Sequence, residues 1–112
     1  MLADVKNIKV MFRGVATIAE DVVYTVPTGT KNAVIKELFV HNSNPSETVN
    51  VLIKVGSVTL VNTTIAPLDT IFPDKEWFTS LDTGDTITIK ASSENSAEMQ
   101  ISGVEIASVA VE

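Results

Sequence analysis

Between residues 31 and 56 the chain reads as an apolar hairpin. Its second arm carries the clearest signal: Val49, Val51, Ile53 and Val55 fall at every second position, with Asn50, Leu52 and Lys54 between them. A two-residue period is that of a strand with one buried face. The first arm, residues 33–41, is apolar on both faces. That predicts a place in the middle of a sheet or at a subunit contact, because neither side can be left against water without cost. From His41 to Glu47 the residues are those of a turn: Pro45 cannot donate to a ladder, and Asn42 and Asn44 can bond their own backbone.

The same alternation marks the flanking segments. Residues 6–13 form an expected first strand with Ile8, Val10 and Phe12 on one face, ended by Gly14, and residues 15–18 a short continuation. Val22, Tyr24 and Val26 are in phase on the next strand, and Pro27, Thr28, Gly29 and Thr30 make a turn. After Gly56, residues 57–65 read as a strand whose phase slips near Leu60 and Val61, the mark of a bulge. The pattern is weakest over residues 71–80, where a short helix is the competing expectation. Residues 86–90 alternate cleanly after a turn at Gly84. The last strand begins at Met99, and a phase shift at Gly103 is expected to place Val104 and Ile106 on the buried side. About eight short strands separated by frequent turn signals, with no sustained helical period, predict an all-β, antiparallel, jelly-roll-like β-sandwich. Residues 1–20 are expected to form an N-terminal strand or arm, and residues 21–112 the sandwich domain.

Composition sharpens this picture. The 112 residues carry a net charge of −6, and the basic residues are scattered, which argues against a nucleic-acid surface. Yet 45% of the residues are apolar and the mean hydropathy is +0.26, high for a small β domain whose surface should be mostly polar. Either both faces of a sheet are covered or apolar surface is shared with another copy, and the second, a homo-oligomer, is the preferred expectation. The sequence contains no cysteine, which leaves packing and association as the sources of stability. No apolar run has the length of a membrane-spanning helix, and the first residues lack the basic end and apolar stretch of a secretory leader, so synthesis in a cytosol is expected.

Several residue groups invite a chemical reading. Asp82-Thr83-Gly84 matches the tripeptide of aspartic proteases, but Asp85 follows in place of a small residue and the next segment is plain alternating strand, so an ordinary Gly-containing turn is the better account. Asp69, Asp74, Glu76, Asp82 and Asp85 lack the spacing of a calcium loop. His41 is the only histidine, which leaves a His-based zinc site without a second imidazole, and a hairpin-end histidine in water is the better account. Asn62-Thr63-Thr64 fits a glycosylation sequon without a secretory context. No catalytic, metal or cofactor residues are expected. Adjacent Trp77 and Phe78 point to opposite faces of a strand, and Trp77 exposed to solvent would suit a sugar ring. Aromatics are only 5% of the chain, however, and core or subunit contact is preferred. Phe12, Phe39, Trp77 and Phe78 are the interface candidates.

Two sets of motifs also carry a resemblance. Residues 23–31 (VYTVPTGTK), an apolar strand closing in His41-Asn42-Ser43, and a second strand over residues 49–53 are followed later by Leu81-Asp82-Thr83-Gly84-Asp85-Thr86-Ile87, Lys90-Ala91-Ser92-Ser93 and Ile101-Ser102-Gly103-Val104-Glu105. In this order they resemble small β-sandwich virion proteins of tailed bacteriophages and prophages, over residues 23–106. The resemblance implies a non-enzymatic structural protein of the virion, made in the bacterial host cytoplasm: a capsid decoration or cement protein, or a neck or tail component. Its expected partners are further copies of itself, with three as the expected number, and capsid, neck or tail proteins, without nucleic acid or membrane. A glycan-binding module on a host-recognition fibre is the alternative.

Overall fold

The computed structural model describes residues 2–73 and 79–110. Among these residues nine strands follow one another: β1 (Leu2–Val15), β2 (Asp21–Thr25), β3 (Asn32–Asn42), β4 (Val49–Val55), β5 (Val58–Ile65), β6 (Thr70–Ile71), β7 (Thr79–Asp82), β8 (Thr86–Ala91) and β9 (Ala97–Ala110). No helix occurs among the described residues. Sheet A has the order β1-β9-β3, with β6 and β7 both paired to β3, and sheet B the order β2-β8-β4-β5.

Every pairing is antiparallel, and one set of them nests, β1 with β9, β2 with β8, β3 with β7 and β6, and β4 with β5, while β9 also pairs with β3 and β8 with β4. Four nested pairs that divide alternately between two sheets are a long hairpin rolled upon itself, which is the jelly roll. β6 meets β3 at Val40 and His41, and β7 meets it over Asn32 to Ile35. The two therefore share one lane, and nine strands fill eight lanes. The strands are not uniformly short, since β1 and β9 each run for 14 residues.

β-branched side chains supply most of the core. Ile35, Val40, Val49, Val51, Ile53, Ile65, Ile87, Ile89 and Ile101 lie between the sheets with almost no exposure, joined by Leu81 and Val26. Such residues favour the extended backbone, and burying each contributes roughly 1.5–3 kcal/mol. The expected burial of Val49, Val51 and Ile53 is met, with Val55 half-buried at the strand end. β3 is an interior strand, flanked by β9 on one side and by β6 and β7 on the other.

Register shifts explain where the apolar pattern misleads. Met11 in β1 and Lys36 in β3 are extra residues facing the same stretch of β9, where Val10 and Phe12 pair with Ser102 and Ile101, and Ile35 and Glu37 with Gly103 and Ser102. The inner face of β3 accordingly runs Ala33, Ile35, then Leu38, Val40 and Asn42. Part of the two-faced apolarity of this strand is one face re-phased by a bulge. β9 itself keeps its phase, so Gly103 and Glu105 point inward while Val104 and Ile106 stand half-buried on the outer face, contrary to the expected shift at Gly103. In β1, Met11 enters the core and Ile8 is left 92% exposed. In β2 the shift between Val22 and Tyr24 buries Tyr24 and turns Val22 out. The slip expected near Leu60 is present, since Ile53 pairs with Val61 and Lys54 with Thr59.

At Gly103 the backbone of β9 lies against β3 with no room for a side chain. A Cβ there would lie 1.9 Å from the Val34 carbonyl oxygen, a distance only backbone movement could relieve. At the loop end, Asn42 is fully buried and joins three segments. Its Nδ2 donates to the carbonyls of Glu47 (2.8 Å), Ile65 (3.1 Å) and Ala66 (3.3 Å), and its Oδ1 accepts from the Asn44 amide at 2.9 Å. Asn44 Oδ1 in turn accepts from the amides of Ser46 and Glu47, closing the turn read from the sequence.

Two substitutions test these contacts. Gly103→Ala should cost about 3 kcal/mol or more in urea unfolding, since the added methyl overpacks the β3–β9 contact. Asn42→Ala should cost about 3 kcal/mol, because it removes a fully buried amide that holds three carbonyls and leaves the buried Ile65 carbonyl without this donor. A loss within 0.5 kcal/mol or so of zero, the usual surface effect, would contradict either account.

Candidate functional site

The outer face of sheet A carries two features that packing within the chain does not use up. The first lies where β1 and β9 run past the rest of the sheet. β3 pairs with β9 no farther than Asn32 opposite Ile106, while β1 and β9 stay paired out to Leu2 opposite Ala110. The result is a two-stranded ribbon that draws the molecule out to 59 × 24 × 20 Å. A lone pair of strands buries too little to be stable by itself. One ion pair secures its base, Lys31 Nζ to Asp4 at 3.3 Å, with both side chains about half exposed, and such a pair adds little.

An apolar row lies on the sheet next to this ribbon, where β3 is still paired. Ile8 pairs with Val104, which pairs with Val34, so the three form a row across β1, β9 and β3 on the outer face. Val10, 45% exposed, extends the row along β1, and Val5, 38% exposed, lies on the opposite face. β1 is also an edge strand: β9 is its one partner in the sheet, and its other side is unpaired among the described residues.

The second feature is a groove of about 520 Å³ at the other end of the same face, lined among others by Arg13, Val15, Phe39, His41, Thr70, Glu98 and Gln100. Two cross-strand rows build it. Val15, Glu98, His41 and Thr70 stand side by side across β1, β9, β3 and β6, and Arg13, Gln100 and Phe39 form the adjacent row. Arg13 Nε donates to Gln100 Oε1 at 2.7 Å, and His41 Nδ1 lies 2.8 Å from Thr70 Oγ1. Each cationic or imidazole group is thus held by one nitrogen and keeps another for a ligand. The Phe39 ring is set by Phe72, 6.1 Å away between centroids and tilted by 46°. Glu98 is exposed and has no side-chain hydrogen bond to described residues.

The interface candidates from the sequence divide accordingly. Phe39 lines the groove. Phe12 is half-buried against the core and folds over Gly14. Trp77 and Phe78 lie outside the described residues, as do Asp74 and Glu76. Sequence reasoning did not find the groove, because Arg13, Glu98 and Gln100 are ordinary surface residues in sequence and meet only through strand register.

The remaining groups serve as structure. Asp82-Thr83-Gly84-Asp85 is the β7–β8 turn: the Asp85 amide donates to the Asp82 carbonyl at 3.0 Å, the Asp85 carboxylate accepts from the Asp82 amide at 2.9 Å, and Gly84 takes φ +87°. The Thr83 hydroxyl donates to the Thr30 carbonyl, tying this turn to the Pro27–Thr30 turn. Among the described residues no group of three His, Asp or Glu side chains converges as metal ligands would, and no helix is long and apolar enough to cross a membrane.

Tyr24 ties the sheets together, its hydroxyl donating to Glu105 on the inner face of β9. Burial, then the hydrogen bond to Glu105 and the charge of that carboxylate, raise the phenol well above its ordinary value of 10.0.

No family model matches the chain, and no curated protein matches it. Among solved structures, one from the Bacillus endospore appendages, described as a novel family of disulfide-linked pili, aligns over 99% of this chain and 89% of its own, with 12% identity and a TM-score of 0.44. A likeness that faint says nothing of function.

The Tyr24 contact sets a pH dependence. The folded phenol titrates above the unfolded one, so the folded state holds the proton more tightly, and the stability this contributes is fully present below pH ~10 and declines as pH rises above it. Tyr24 is the only tyrosine, so phenolate absorbance reports it alone and should show a native midpoint displaced upward. The difference in unfolding free energy between the parent and Tyr24→Phe should shrink above pH ~10, and a difference that grows there would refute the assignment.

Proposed function

We propose that this chain is a non-enzymatic structural component of a tailed-phage particle, joining copies of itself and adhering to the particle surface, with decoration of the head as the first placement. The observation that carries the reading is the apolar outer face of sheet A beside the ribbon. Ile8 and Val10 on the edge strand β1, with Val104 of β9 and Val34 of β3 in line with Ile8, present an apolar surface that ends at an unpaired edge, and an edge of that kind is a template for another chain. The occupant that suits it is a second copy, which brings the same apolar row and the same unpaired backbone. Lys6 and Lys9 flank Ile8 on the edge and discourage indiscriminate pairing.

The jelly-roll order supports the reading in a general way, since capsid and lectin domains share it, but a fold alone does not assign a role. The ordered motifs of residues 23–106 supply the link to virion proteins. The net charge of −6 keeps free copies soluble and away from packaged nucleic acid.

Light scattering after size exclusion should find an oligomer of the 12.0 kDa chain, with three copies as the working number. Ile8→Lys should shift it toward monomer without changing the circular dichroism. Immunogold labelling of particles released by inducing the strain that carries the gene should mark the head. A persistent monomer at high concentration would refute the assembly, and unlabelled particles would refute the virion placement.

A further inference from the structure

We infer that the groove between Arg13 and Thr70 on the outer face of sheet A is a binding site for a neutral carbohydrate. The reasoning is independent of the virion reading and concerns the end of the face away from the ribbon.

The groove combines an apolar floor with donors and acceptors. Val15 and Phe39 offer carbon surface, and the half-buried Phe39 ring, packed against Phe72, gives the C–H face of a sugar ring an apolar partner. Around it, the free guanidinium nitrogens of Arg13 and the amide nitrogen of Gln100 donate, Glu98 accepts, and His41 keeps its second ring nitrogen. These groups arrive already oriented, because Arg13 and His41 are each held by a neighbour, and a held group loses less freedom when a ligand binds.

Charge decides which ligand fits. Arg13 and Glu98 stand on adjacent rows of the same groove, β1 and β9 being paired there as Arg13 with Gln100 and Val15 with Glu98. An anion would gain from the guanidinium and be repelled by the carboxylate, and a cation the reverse. A polyol, whose hydroxyls both donate and accept, satisfies both. The groove volume of about 520 Å³ falls within the ~300–1,000 Å³ typical of small-ligand sites. A second recess, on the outer face of sheet B and lined by Asn50, Leu52, Asn62, Lys90, Ala91 and Ser92, has no aromatic ring and no carboxylate, and serves as the internal control.

The test is a titration of the ¹⁵N-labelled full chain, followed by amide and side-chain shifts, with glucose, galactose, N-acetylglucosamine, cellobiose, lactose and chitobiose. Concentrations up to about 20 mM reach the millimolar affinities expected of a shallow site. At least one sugar should shift Arg13, Phe39, His41, Glu98 and Gln100 together. Glu98→Ala and Gln100→Ala, both surface changes, should weaken that sugar about tenfold, and Lys90→Ala should leave it unchanged. No response to any of the six, shifts centred on Asn50 and Lys90, or unaltered affinity in Glu98→Ala would overturn the proposal. So would glucuronate binding more tightly than glucose, because charge and not the neutral polyol would then be what the groove selects.

Discussion

Sheet A depends on the close approach of β3 and β9 at Gly103. β9 lies between β1 and β3 over most of its length, and it can do so only because no side chain separates its backbone from the Val34 carbonyl. Here the chain gives up side-chain packing for proximity, and the neighbours absorb the mismatch. Met11 bulges from β1 and Lys36 from β3, one on either side of the same stretch of β9. A bulge sharpens local twist, and two of them opposite one another divide sheet A into a ribbon end and a groove end.

That division explains how one face carries two different surfaces. Toward the ribbon, before the bulges, the outer row is Ile8, Val104 and Val34. Beyond them the outer rows become Arg13, Gln100 and Phe39, then Val15, Glu98 and His41. Past each bulge the alternation changes face, so the positions in phase with Ile8 and Val34 now turn inward, as Phe12 and Leu38 do. The same register change therefore feeds the core at one end and exposes Ile8 at the other.

The loops are tied down by polar groups, not by size. Asn42 holds the end of β3 to the carbonyls that leave β5, and Tyr24 links sheet B to Glu105 of sheet A. Without disulfides, these few buried contacts carry the specificity that apolar burial lacks, because dispersion and desolvation are indifferent to which loop sits where.

The sequence by itself determined the class of fold. Alternation at Val49, Val51 and Ile53, the turns at Pro27–Thr30 and Gly84, and the slip at Leu60 depend on local geometry that a strand or turn imposes on its own residues, and each was legible. Asn42 and Asn44 were legible as turn formers, although the three carbonyls gathered by Asn42 were not. Only tertiary structure decided the orientation of residues beside bulges: Ile8 outside, Met11 inside, and Val104 and Ile106 on the outer face. A bulge is set by the partner strand, since the residue that is extra can be known only against the residue it fails to pair with. The groove was illegible for the same reason. Arg13, His41 and Glu98 are far apart in the chain, and nothing but the antiparallel register of β1, β9 and β3 sets them side by side.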